Sequence, residues 1–527
     1  MMKKMKLVIL ETSDIHGSIF PINYGTNGKA DVGLGKIATL IKKERSHNEN
    51  IILLDNGDLI QGTPLSYHYA RIMKEQQDNP MIILANELKY DAAVFGNHEF
   101  NYGKELLKAA VSESQFPWLS ANILDVKTGN PYYGNPYFIK EMEAGLKVGI
   151  LGLTTPYIPN WEQPEHIEGM HFEDAVEAAQ KWVRILKEKE KVDVVIVAYH
   201  GGFERDLDTG EPTETLTGEN QGYQICQEVE GVDVLLTGHQ HRQIFGKEIN
   251  GVIVVQPGNN GRVLGKVTLD LNDQSGSWQV VSKQSELISV EGIKEDRSLL
   301  KKVERYEKNT QKWLDQPIGK IKGDMIVKDP LEIRLGDNPL IEFINRVQME
   351  AAGVDISNTA LFDNQSPGFP ENVTMRDVVS NYIYPNTLKV IRITGHDMKA
   401  ALERSAAYFM QYDGEKIKVN PAFTTPKPQH YNYDMWEGID YLMNISRPEG
   451  ERIVKLEYQS AKIDPDAEYN VVMNNYRAGG GGEYFMYKGK PVIKDIPIDV
   501  SELIANYFLE KKTVTATVNH NWKVIHD

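Results

Sequence analysis

Residues 92–103 read AAVFGNHEFNYG, and this stretch combines the two features that decide the fold. Its first four residues are an apolar run of the kind that forms a short buried strand. Gly-Asn-His-Glu follows directly at 96–99, so polar and ionisable side chains stand just beyond the end of that strand. Sites in α/β proteins form at the carboxyl ends of strands. The stretch therefore predicts an α/β fold with a polar site at a sheet edge.

Four further apolar strands run into turns that carry Asp or His. They are Leu7–Leu10 with Asp14-Ile15-His16-Gly17, Ile51–Leu54 with Gly57-Asp58, Val194–Ala198 with His200-Gly201, and Val232–Leu236 with Gly238-His239-Gln240-His241. A single segment of this kind is more often a structural turn or a capped helix start than a metal site. Five in sequence order, with glycines that let the backbone turn sharply, predict that short side chains converge on one site.

The residue types in these turns are Asp, Asn and His, and they define the chemistry of the site. Cys226 is the one cysteine, which excludes a thiolate cluster and an intramolecular disulfide. Nitrogen and oxygen ligands suit Mn²⁺, Zn²⁺, Fe²⁺ or Mg²⁺. The set is large enough for two ions, which can activate a water and neutralise phosphate oxygens in phosphoryl transfer. Two other interpretations stay open: a metal- or nucleotide-binding protein without catalysis, and structural metal sites.

Composition excludes several other classes of protein. The chain has 527 residues, of which 41% are hydrophobic and 25% charged, which is typical of a globular protein with two to four domains. Its formal net charge of −16 argues against a nucleic-acid polymer as partner. We find no apolar stretch of about 18 residues and no secretory signal, so we expect no membrane partner. The expected location is the cytoplasm, or outside it if a leader was removed, and no protein partner is implied.

The alternation of strands and helices predicts the domain organisation. Amphipathic helices at Gly35–Arg45 and Asp174–Glu190, and further strands at Val148–Leu151 and Val252–Val255, indicate an α/β domain with buried sheets. Residues 294–316 predict one helix that Pro317 stops, either a surface helix or a connector between domains. We predict a first domain at 1–290, a connector helix at 291–317 and a second domain at 318–527.

The second domain has its own pattern. It is predicted to contain a helix at Pro339–Ala352, a strand–helix unit at Leu388–Met410, a Pro-rich loop at Pro421–Pro428, and strands at Ile453–Tyr458 and Tyr469–Met473.

The order Asp-x-His, Gly-Asp, Gly-Asn-His-Glu, His, Gly-His-x-His resembles that of the calcineurin-like metallophosphoesterases. With its large C-terminal half, the chain is similar over nearly its whole length to the 5′-nucleotidase and 2′,3′-cyclic-nucleotide 2′-phosphodiesterase family. The resemblance implies a four-layer α/β/β/α domain with two mixed sheets packed face to face. It also implies that an α/β domain of the 5′-nucleotidase C-terminal type follows and binds the nucleoside.

The resemblance further implies roles for individual residues. One divalent ion would be held by Asp14, His16, Asp58 and His241, and a second by Asp58, Asn97, His200 and His239, with Asp58 bridging the two. The ions would be Mn, Zn, Fe, Co or Mg. His98 is not a ligand in that family but assists at the phosphate or the leaving group. Asn101 stands where it can orient the ring of His98.

Three positions favour the cyclic-nucleotide branch of the family. Asn101 stands where the 5′-nucleotidase branch has an Asp, and His241 where that branch often has a Gln. Phe369 stands about where that branch has an Arg. The sequence therefore predicts hydrolysis of 2′,3′-cyclic nucleotides to 3′-nucleotides, and onward to nucleoside and phosphate. The alternative is a 5′-nucleotidase or nucleotide-sugar hydrolase.

Two segments of the C-terminal half resemble the base-stacking segments of the family. They are Tyr-Pro-Asn-Thr-Leu at 384–388 and Asn-Tyr-Arg-Ala-Gly-Gly-Gly at 475–481. The resemblance implies that Tyr384 and Tyr476 stack on the base of a small nucleotide substrate and that Asn386 makes a polar contact. Stacking is worth about 1–3 kcal/mol per base and tolerates any base. Without the resemblance, each Tyr is better interpreted as an amphipathic residue at a domain edge.

Overall fold

The computed structural model describes residues 3–73, 78–214, 216–274, 277–384, 386–425, 427–496 and 498–527. Two positions of the predicted segments, Pro385 in the Tyr-Pro-Asn motif and Pro426 in the Pro-rich loop, lie outside these described residues. The chain divides into two compact units, Met1–Thr310 and Gln311–Asp527. Each is described below by itself.

The first sheet of the N-terminal unit has six strands. In sheet order they are Ser277–Ser289, Val263–Gln274, Lys4–Thr12, Ile51–Asp55, Ala92–Val94 and Trp118–Leu119. The last four run parallel to one another, with the register Val8↔Ile51 and Leu54↔Ala92. Because parallel strands end at the same sheet edge, the turns that follow them are brought together.

The second sheet also has six strands. In sheet order they are Gln243–Ile249, Val252–Pro257, Val234–Thr237, Val194–His200, Lys147–Thr154 and Tyr137–Glu141. The four central strands are parallel and the two edge strands antiparallel, so the sheet is mixed.

The two sheets pack face to face with helices outside them, as the sequence predicted. Leu7 and Ile9 of the first sheet share one buried cluster with Ile196 and Ala198 of the second. The alternate residues of strand Val194–His200 point the other way and pack against helix Ala175–Glu188. Helix Leu34–His47 lies against strand Val263–Gln274 of the first sheet. The predicted four-layer α/β/β/α arrangement is confirmed.

Shorter elements complete this unit. The remaining helices are Pro64–His68, Tyr69–Met73, Pro80–Leu88, Lys104–Glu113 and Gly222–Glu228, and two strand pairs join Ile22–Asn23 to Gly28–Lys29 and Ile123–Asp125 to Met170–Phe172. The strands predicted from apolar runs are all present. The antiparallel strand pair Val263–Gln274 and Ser277–Ser289 was not predicted; its second strand is mostly exposed or half-buried and contains no long apolar run.

The predicted single helix at 294–316 is wrong in one respect. The structure has two helices there, Arg297–Leu300 and Glu304–Leu314. The break lies at Lys301–Val303, where the backbone N–H groups of Lys302 and Val303 donate to carbonyls only three residues back. This tight turn buries Val303 completely.

The C-terminal unit contains several smaller sheets around one core. Its five-stranded sheet has the order Asp434–Glu437, Ser357–Ala360, Glu468–Asn474, Leu388–Thr394, Val492–Ile496, and its four-stranded sheet the order Ala461–Lys462, Ile453–Tyr458, Asp440–Asn444, Trp522–Ile525. A three-stranded sheet joins Asn372–Thr374, Pro317–Lys322 and Thr513–Thr515, and Met325–Ile326 pairs with Gly368–Phe369. The helices are Pro330–Ile333, Pro339–Ala352, Met375–Asn381, Gly395–Ala406, Asn475–Ala478 and Val500–Lys511.

Two features of this unit bear on the predictions. Helix Pro339–Ala352 has the predicted bounds. Phe369 lies in the core, where its ring packs edge-on against Phe343 at 5.6 Å and Phe508 at 5.4 Å.

Among the described residues of the whole chain, no helix is long and apolar enough to cross a membrane.

Candidate functional site

The seven predicted metal ligands all lie at the strand ends of the N-terminal unit. Five of them have a left-handed backbone: Asp14 (φ 52°), His16 (52°), Asp58 (57°), His239 (65°) and His241 (56°). This conformation costs of order 1–3 kcal/mol for a residue with a side chain and is concentrated at functional sites. The turns therefore place these side chains at the expense of local backbone strain.

Asp14, His16 and His241 form the first group of ligands. His16 Nδ1 lies 3.1 Å from the carbonyl oxygen of Gln61, to which it donates, so its Nε2 carries a lone pair. That Nε2 lies 3.0 Å from Nε2 of His241, which is 3.3 Å from Oδ1 of Asp14. Three electron-rich atoms therefore face one another.

Asp58, Asn97, His200 and His239 form the second group. His200 donates from Nδ1 to the carbonyl oxygen of Asn56 at 2.7 Å, which leaves a lone pair on Nε2. That Nε2 lies 3.3 Å from Oδ2 of Asp58 and 3.2 Å from Oδ1 of Asn97. His239 Nδ1 lies 2.8 Å from the same Asn97 oxygen.

The two groups meet at Asp58. Its Oδ2 lies 3.9 Å from Nε2 of His16 in the first group and 3.3 Å from Nε2 of His200 in the second. Its Oδ1 accepts a hydrogen bond from the backbone N–H of His98 at 2.8 Å. One carboxylate with a fixed orientation thus reaches both groups, which is what a bridging ligand requires.

The donor set fits divalent metal ions. Facing lone pairs on imidazole nitrogens, carboxylates and an amide oxygen repel one another unless a cation or a proton lies between them. The pKa of His200 indicates the same need for positive charge at this position. Burial alone would lower this pKa, but Asp58 and Asp14 raise it to about 10. The nitrogen and oxygen ligands suit Mn²⁺, Zn²⁺, Fe²⁺, Co²⁺ or Mg²⁺.

Glu99 is a functional residue that sequence reasoning missed, although it lies within the GNHE block. Its fully buried carboxylate accepts hydrogen bonds from the backbone N–H groups of Asp58 (2.8 Å), Leu59 (2.7 Å) and Gly96 (2.6 Å). It therefore holds the turn that presents Asp58. Burial and the Asp58 charge raise the pKa of Glu99 to about 7. The sequence shows the motif but not that Glu99 also reaches Asp58 and Leu59, 41 and 40 positions away.

Gly96 is required by the close approach of this turn. A Cβ atom at this position would lie 2.2 Å from Oδ1 of Asp58. Such an overlap would displace the carboxylate that reaches both ligand groups. The glycine of the GNHE block thus serves the site directly.

His98 lies beside the ligands, with its ring 5.2 Å from that of His16 in an edge-on arrangement. Its Nδ1 is 2.6 Å from Oδ1 of Asn101, so the structure brings the two predicted catalytic residues together. Two further residues were missed: Trp161, which stacks on His239 at 5.4 Å, and Glu219, whose carboxylate lies 2.9 Å from Nε2 of His239. No local sequence signal marks either contact.

The predicted substrate-binding residues lie in the C-terminal unit at one end of two neighbouring strands. Tyr384 and Asn386 precede strand Leu388–Thr394, and Tyr476 lies in the short helix Asn475–Ala478 that follows strand Glu468–Asn474. The two strands are antiparallel neighbours, with Leu388 paired to Asn474. Thr387 and Asn475 join the two segments through a 2.9 Å backbone hydrogen bond and a 3.1 Å hydrogen bond to the Asn475 side chain.

The two tyrosine rings have different surroundings. Tyr384 packs edge-on against Phe362 at 5.8 Å and Tyr431 at 6.2 Å. Tyr476 lies directly on the backbone of Gly481, where a Cβ atom would come within 2.5 Å of the ring. The glycine run thus lets the backbone support the ring.

Comparison with known proteins finds one family match within each of the two units. Residues 7–243 match the model of the calcineurin-like phosphoesterases, and residues 317–489 match that of the 5′-nucleotidase C-terminal domain. The chain thus combines the two parts of a metal-dependent phosphoester hydrolase.

Relatives with known names match the chain over 90% or more of its length. The 2′,3′-cyclic-nucleotide 2′-phosphodiesterase/3′-nucleotidase of Salmonella typhimurium is 31% identical over 90% of this chain and 81% of its own length. The trifunctional nucleotide phosphoesterase YfkN of Bacillus subtilis is 29% identical over 99% of this chain, which spans 39% of that longer protein. A crystal structure of a Staphylococcus aureus protein assigned as a 5′-nucleotidase, in complex with α-ketoglutarate, is 35% identical with a TM-score of 0.90, covering 99% of this chain and 100% of that one.

The fold and the site define a metallophosphoesterase. The chain belongs to the family that joins a calcineurin-like phosphoesterase domain to a 5′-nucleotidase C-terminal domain. Membership of this family implies a dimetal centre, and the facing groups around Asp58 are the candidate for it.

Proposed function

We propose that this protein hydrolyses 2′,3′-cyclic nucleotides to 3′-nucleotides, and then releases nucleoside and phosphate. The observation that carries the proposal is the pairing of His98 with Asn101 beside a ligand set that includes His241. The similarity to the Salmonella typhimurium phosphodiesterase/3′-nucleotidase, which covers both units, supports it.

The metal ions would be held by the ligand groups described above. Asp14, His16, Asp58 and His241 would hold one, and Asp58, Asn97, His200 and His239 the other. When bound, two divalent cations neutralise phosphoryl oxygens and make a water acidic enough to attack phosphorus near neutral pH. We propose Mn²⁺, Zn²⁺, Fe²⁺, Co²⁺ or Mg²⁺ as the occupants, since each accepts this donor set.

His98 is proposed as the general acid. Nδ1 donates to Asn101, which leaves Nε2 to deliver a proton to the departing ribose oxygen. In the first reaction the bond between phosphorus and the 2′ oxygen breaks. Water supplies the new P–O bond, the 2′ oxygen takes up a proton, and a 3′-phosphomonoester remains.

The predicted second domain, residues 318–527, which lies within the C-terminal unit, is proposed to bind the nucleoside. Tyr384 and Tyr476 would stack on the base and Asn386 would contact it through a hydrogen bond. Tyr384→Leu is expected to raise KM by about 5- to 100-fold with little change in kcat, the equivalent of about 1–3 kcal/mol of stacking. Tyr458→Leu, on a strand of the same unit, is the matched control.

Product analysis tests the proposal. Purified protein, reconstituted with each metal, is given 2′,3′-cyclic AMP, 3′-AMP and 5′-AMP in parallel, with and without a chelator. We expect the cyclic substrate to be consumed fastest, with 3′-AMP appearing before adenosine, and all turnover to stop with chelator. Fastest turnover of 5′-AMP would overturn the branch assignment and leave the metal centre in place.

A 5′-nucleotidase is the second candidate function. The observation that favours it is the similarity to the Staphylococcus aureus protein over 99% of this chain. In that case Asn101 and His241 are not markers of substrate preference. The ratio of kcat/KM for 5′-AMP to that for 2′,3′-cyclic AMP separates the two functions.

A further inference from the structure

Glu162 connects a distant part of the chain to the proposed general acid. It lies in the segment that follows strand Lys147–Thr154, and its side chain is only 4% exposed. The Oε2 atom accepts a hydrogen bond from Nδ2 of Asn101 at 2.7 Å. The Oε1 atom lies 2.8 Å from the backbone N–H of Gln163 and 2.8 Å from Nδ1 of His166. The carboxylate is therefore fixed by donors on both oxygens.

This contact determines the orientation of the Asn101 amide. A carboxylate only accepts hydrogen bonds, so the amide must present its NH₂ group to Glu162 and its oxygen to the opposite side. That oxygen lies 2.6 Å from Nδ1 of His98, which must then carry a proton. A proton on Nδ1 leaves Nε2 as the nitrogen that exchanges protons with substrate. One carboxylate thus selects the tautomer of His98 through an intervening amide.

The chain also supplies a negative charge that Asn101 lacks. An amide alone can orient an imidazole but does not stabilise its protonated form as a carboxylate does. The Glu162 carboxylate lies one side chain further out and faces the same row of hydrogen bonds. Its position next to Trp161, which stacks on the ligand His239, anchors the segment to the site.

We infer that Glu162 is a positioning residue that acts through Asn101 to hold one proton on Nδ1 of His98, so that Nε2 is the nitrogen that takes up a proton and delivers it to the leaving oxygen. The inference rests on the proposed function, in which His98 is the general acid. It gives the row His98–Asn101–Glu162 the role that a direct His–carboxylate pair plays in other enzymes.

Two substitutions and their double variant test the inference, because the effect of Glu162→Gln on kcat should change sign between the wild type and the Asn101→Asp background. Glu162→Gln removes the charge, lets the amide of Asn101 turn over, and should lower kcat by about 10- to 100-fold with KM and metal content unchanged. Asn101→Asp alone should also lower kcat, because two carboxylates then face each other at hydrogen-bond distance. In the double variant, the amide introduced by Glu162→Gln can donate to the carboxylate introduced by Asn101→Asp. Glu162→Gln should therefore raise kcat in the Asn101→Asp background, although it lowers kcat in the wild type.

Additive losses would overturn the inference, as would an unchanged kcat in Glu162→Gln. If the substitutions only damaged the structure, the kcat of the double variant would fall at least as far as the two single decreases multiplied together. Glu165→Gln removes an exposed carboxylate three residues away and is the matched control, with kcat expected to stay within about twofold of wild type.

A spectroscopic measurement separates this inference from the proposed function. The ¹⁵N shifts of the His98 ring, identified by their loss in His98→Asn, report which nitrogen carries the proton. We expect protonated Nδ1 in the wild type and a mixture of tautomers in Glu162→Gln. One outcome is that the proton position on the His98 ring differs between the two proteins as expected while the wild type turns over no phosphoester. In that case the proposed function fails and the positioning role of Glu162 stands. If the tautomer is the same in both proteins, the positioning role fails whatever the activity.

Discussion

Two clusters of carboxylates, one in each unit, have opposite electrostatic characters. In the N-terminal unit, Asp14 and Asp58 lie among imidazole rings, with His200 only 3.3 Å from Asp58. Although burial opposes it, the charge of His200 holds the pKa of Asp58 well below its usual range. In the C-terminal unit, burial and two neighbouring carboxylates raise the pKa of Glu437 to about 8.

The second cluster consists of Asp337, Glu342 and Glu437, and its partners are of a different kind. Glu437 accepts from the Asn519 side chain at 2.8 Å, and Glu342 accepts from the Asn519 backbone N–H at 2.8 Å. Arg346 pairs with Glu342. These contacts tie the C-terminal segment to the helix Pro339–Ala352.

The difference lies in the partners of the buried acids. In the first cluster, imidazole nitrogens stand among the carboxylates and complete the donor set that we propose for two metal ions. In the second, the excess charge is relieved by a proton on Glu437 and by the guanidinium of Arg346. The four predictions that follow test this contrast, from the largest expected effect to the smallest.

Asp58→Asn should have the largest effect. Loss of the carboxylate that reaches both ligand groups removes several kcal/mol of charge stabilisation, so kcat/KM should fall by about 10³-fold or more. Metal content, measured by mass spectrometry, should fall with it. An active variant with two bound ions per chain would show that Asp58 does not bridge the two ions. Glu371→Gln, on the surface of the other unit, is the control.

His98→Ala should have a smaller effect and leave the metal in place. Removal of a positioned general acid costs about 10²- to 10³-fold in kcat. The measurement is kcat on 2′,3′-cyclic AMP together with metal content. Full activity at unchanged metal content would remove His98 from the mechanism.

Chelation should destabilise only the N-terminal unit. Removal of ions bound well above their dissociation constants should lower the unfolding midpoint of that unit by about 5 °C or more in calorimetry. The transition of the C-terminal unit should not move, and Asp58→Asn should show little response to chelator. A higher unfolding midpoint of the C-terminal unit in the presence of Ca²⁺ would mean that the second cluster also binds a cation. The two clusters would then not differ in cation binding.

Glu437→Gln should have the smallest effect of the four. Unlike the other changes, it should increase the stability of the protein at pH 8. A carboxyl with a folded-state pKa of about 8 and an unfolded value of about 4.3 stabilises the fold fully below about pH 4. This contribution is lost as the pH rises to about 8. The C-terminal unit of the variant should therefore be more stable than wild type at pH 8, by about 1–3 kcal/mol, and less sensitive to pH.

Denaturation of the two proteins at pH 5 and pH 8 gives the measurement. A Glu437→Gln protein that is less stable at pH 8 would show that the carboxylate is ionised and usefully paired. Asp466→Asn, an exposed acid of the same unit, should show no difference between the two pH values.

The sequence predicted the layered fold and the convergence of the ligands because both depend on local patterns. Apolar runs mark buried strands, and parallel strands bring their carboxyl ends to one edge, so Asp14, Asp58 and Asn97 were placed together without knowledge of any distance. The strand pair Val263–Gln274 and Ser277–Ser289 was not predicted; its outer strand is largely exposed and is recognisable in the structure by its pairing with the neighbouring strand.

The contacts that orient the site residues could not be predicted from the sequence, for a different reason. Glu162 reaches Asn101 across 61 positions, and Glu99 reaches Asp58 across 41. Such contacts depend on where loops come to rest in the folded unit, and no local spacing encodes them. The single helix predicted at 294–316 failed because helical periodicity does not show a tight turn that buries Val303.

The left-handed backbone of five predicted ligands has a consequence for handling the protein. Because their backbone conformation directs these side chains toward the site, we expect a protein treated with chelator to keep the arrangement of its ligands. We therefore expect it to accept an ion of the experimenter's choice after the first ions are removed. One preparation could then compare Mn²⁺, Zn²⁺, Co²⁺ and Mg²⁺ side by side, with differences in rate reporting the ions themselves and not the history of the sample.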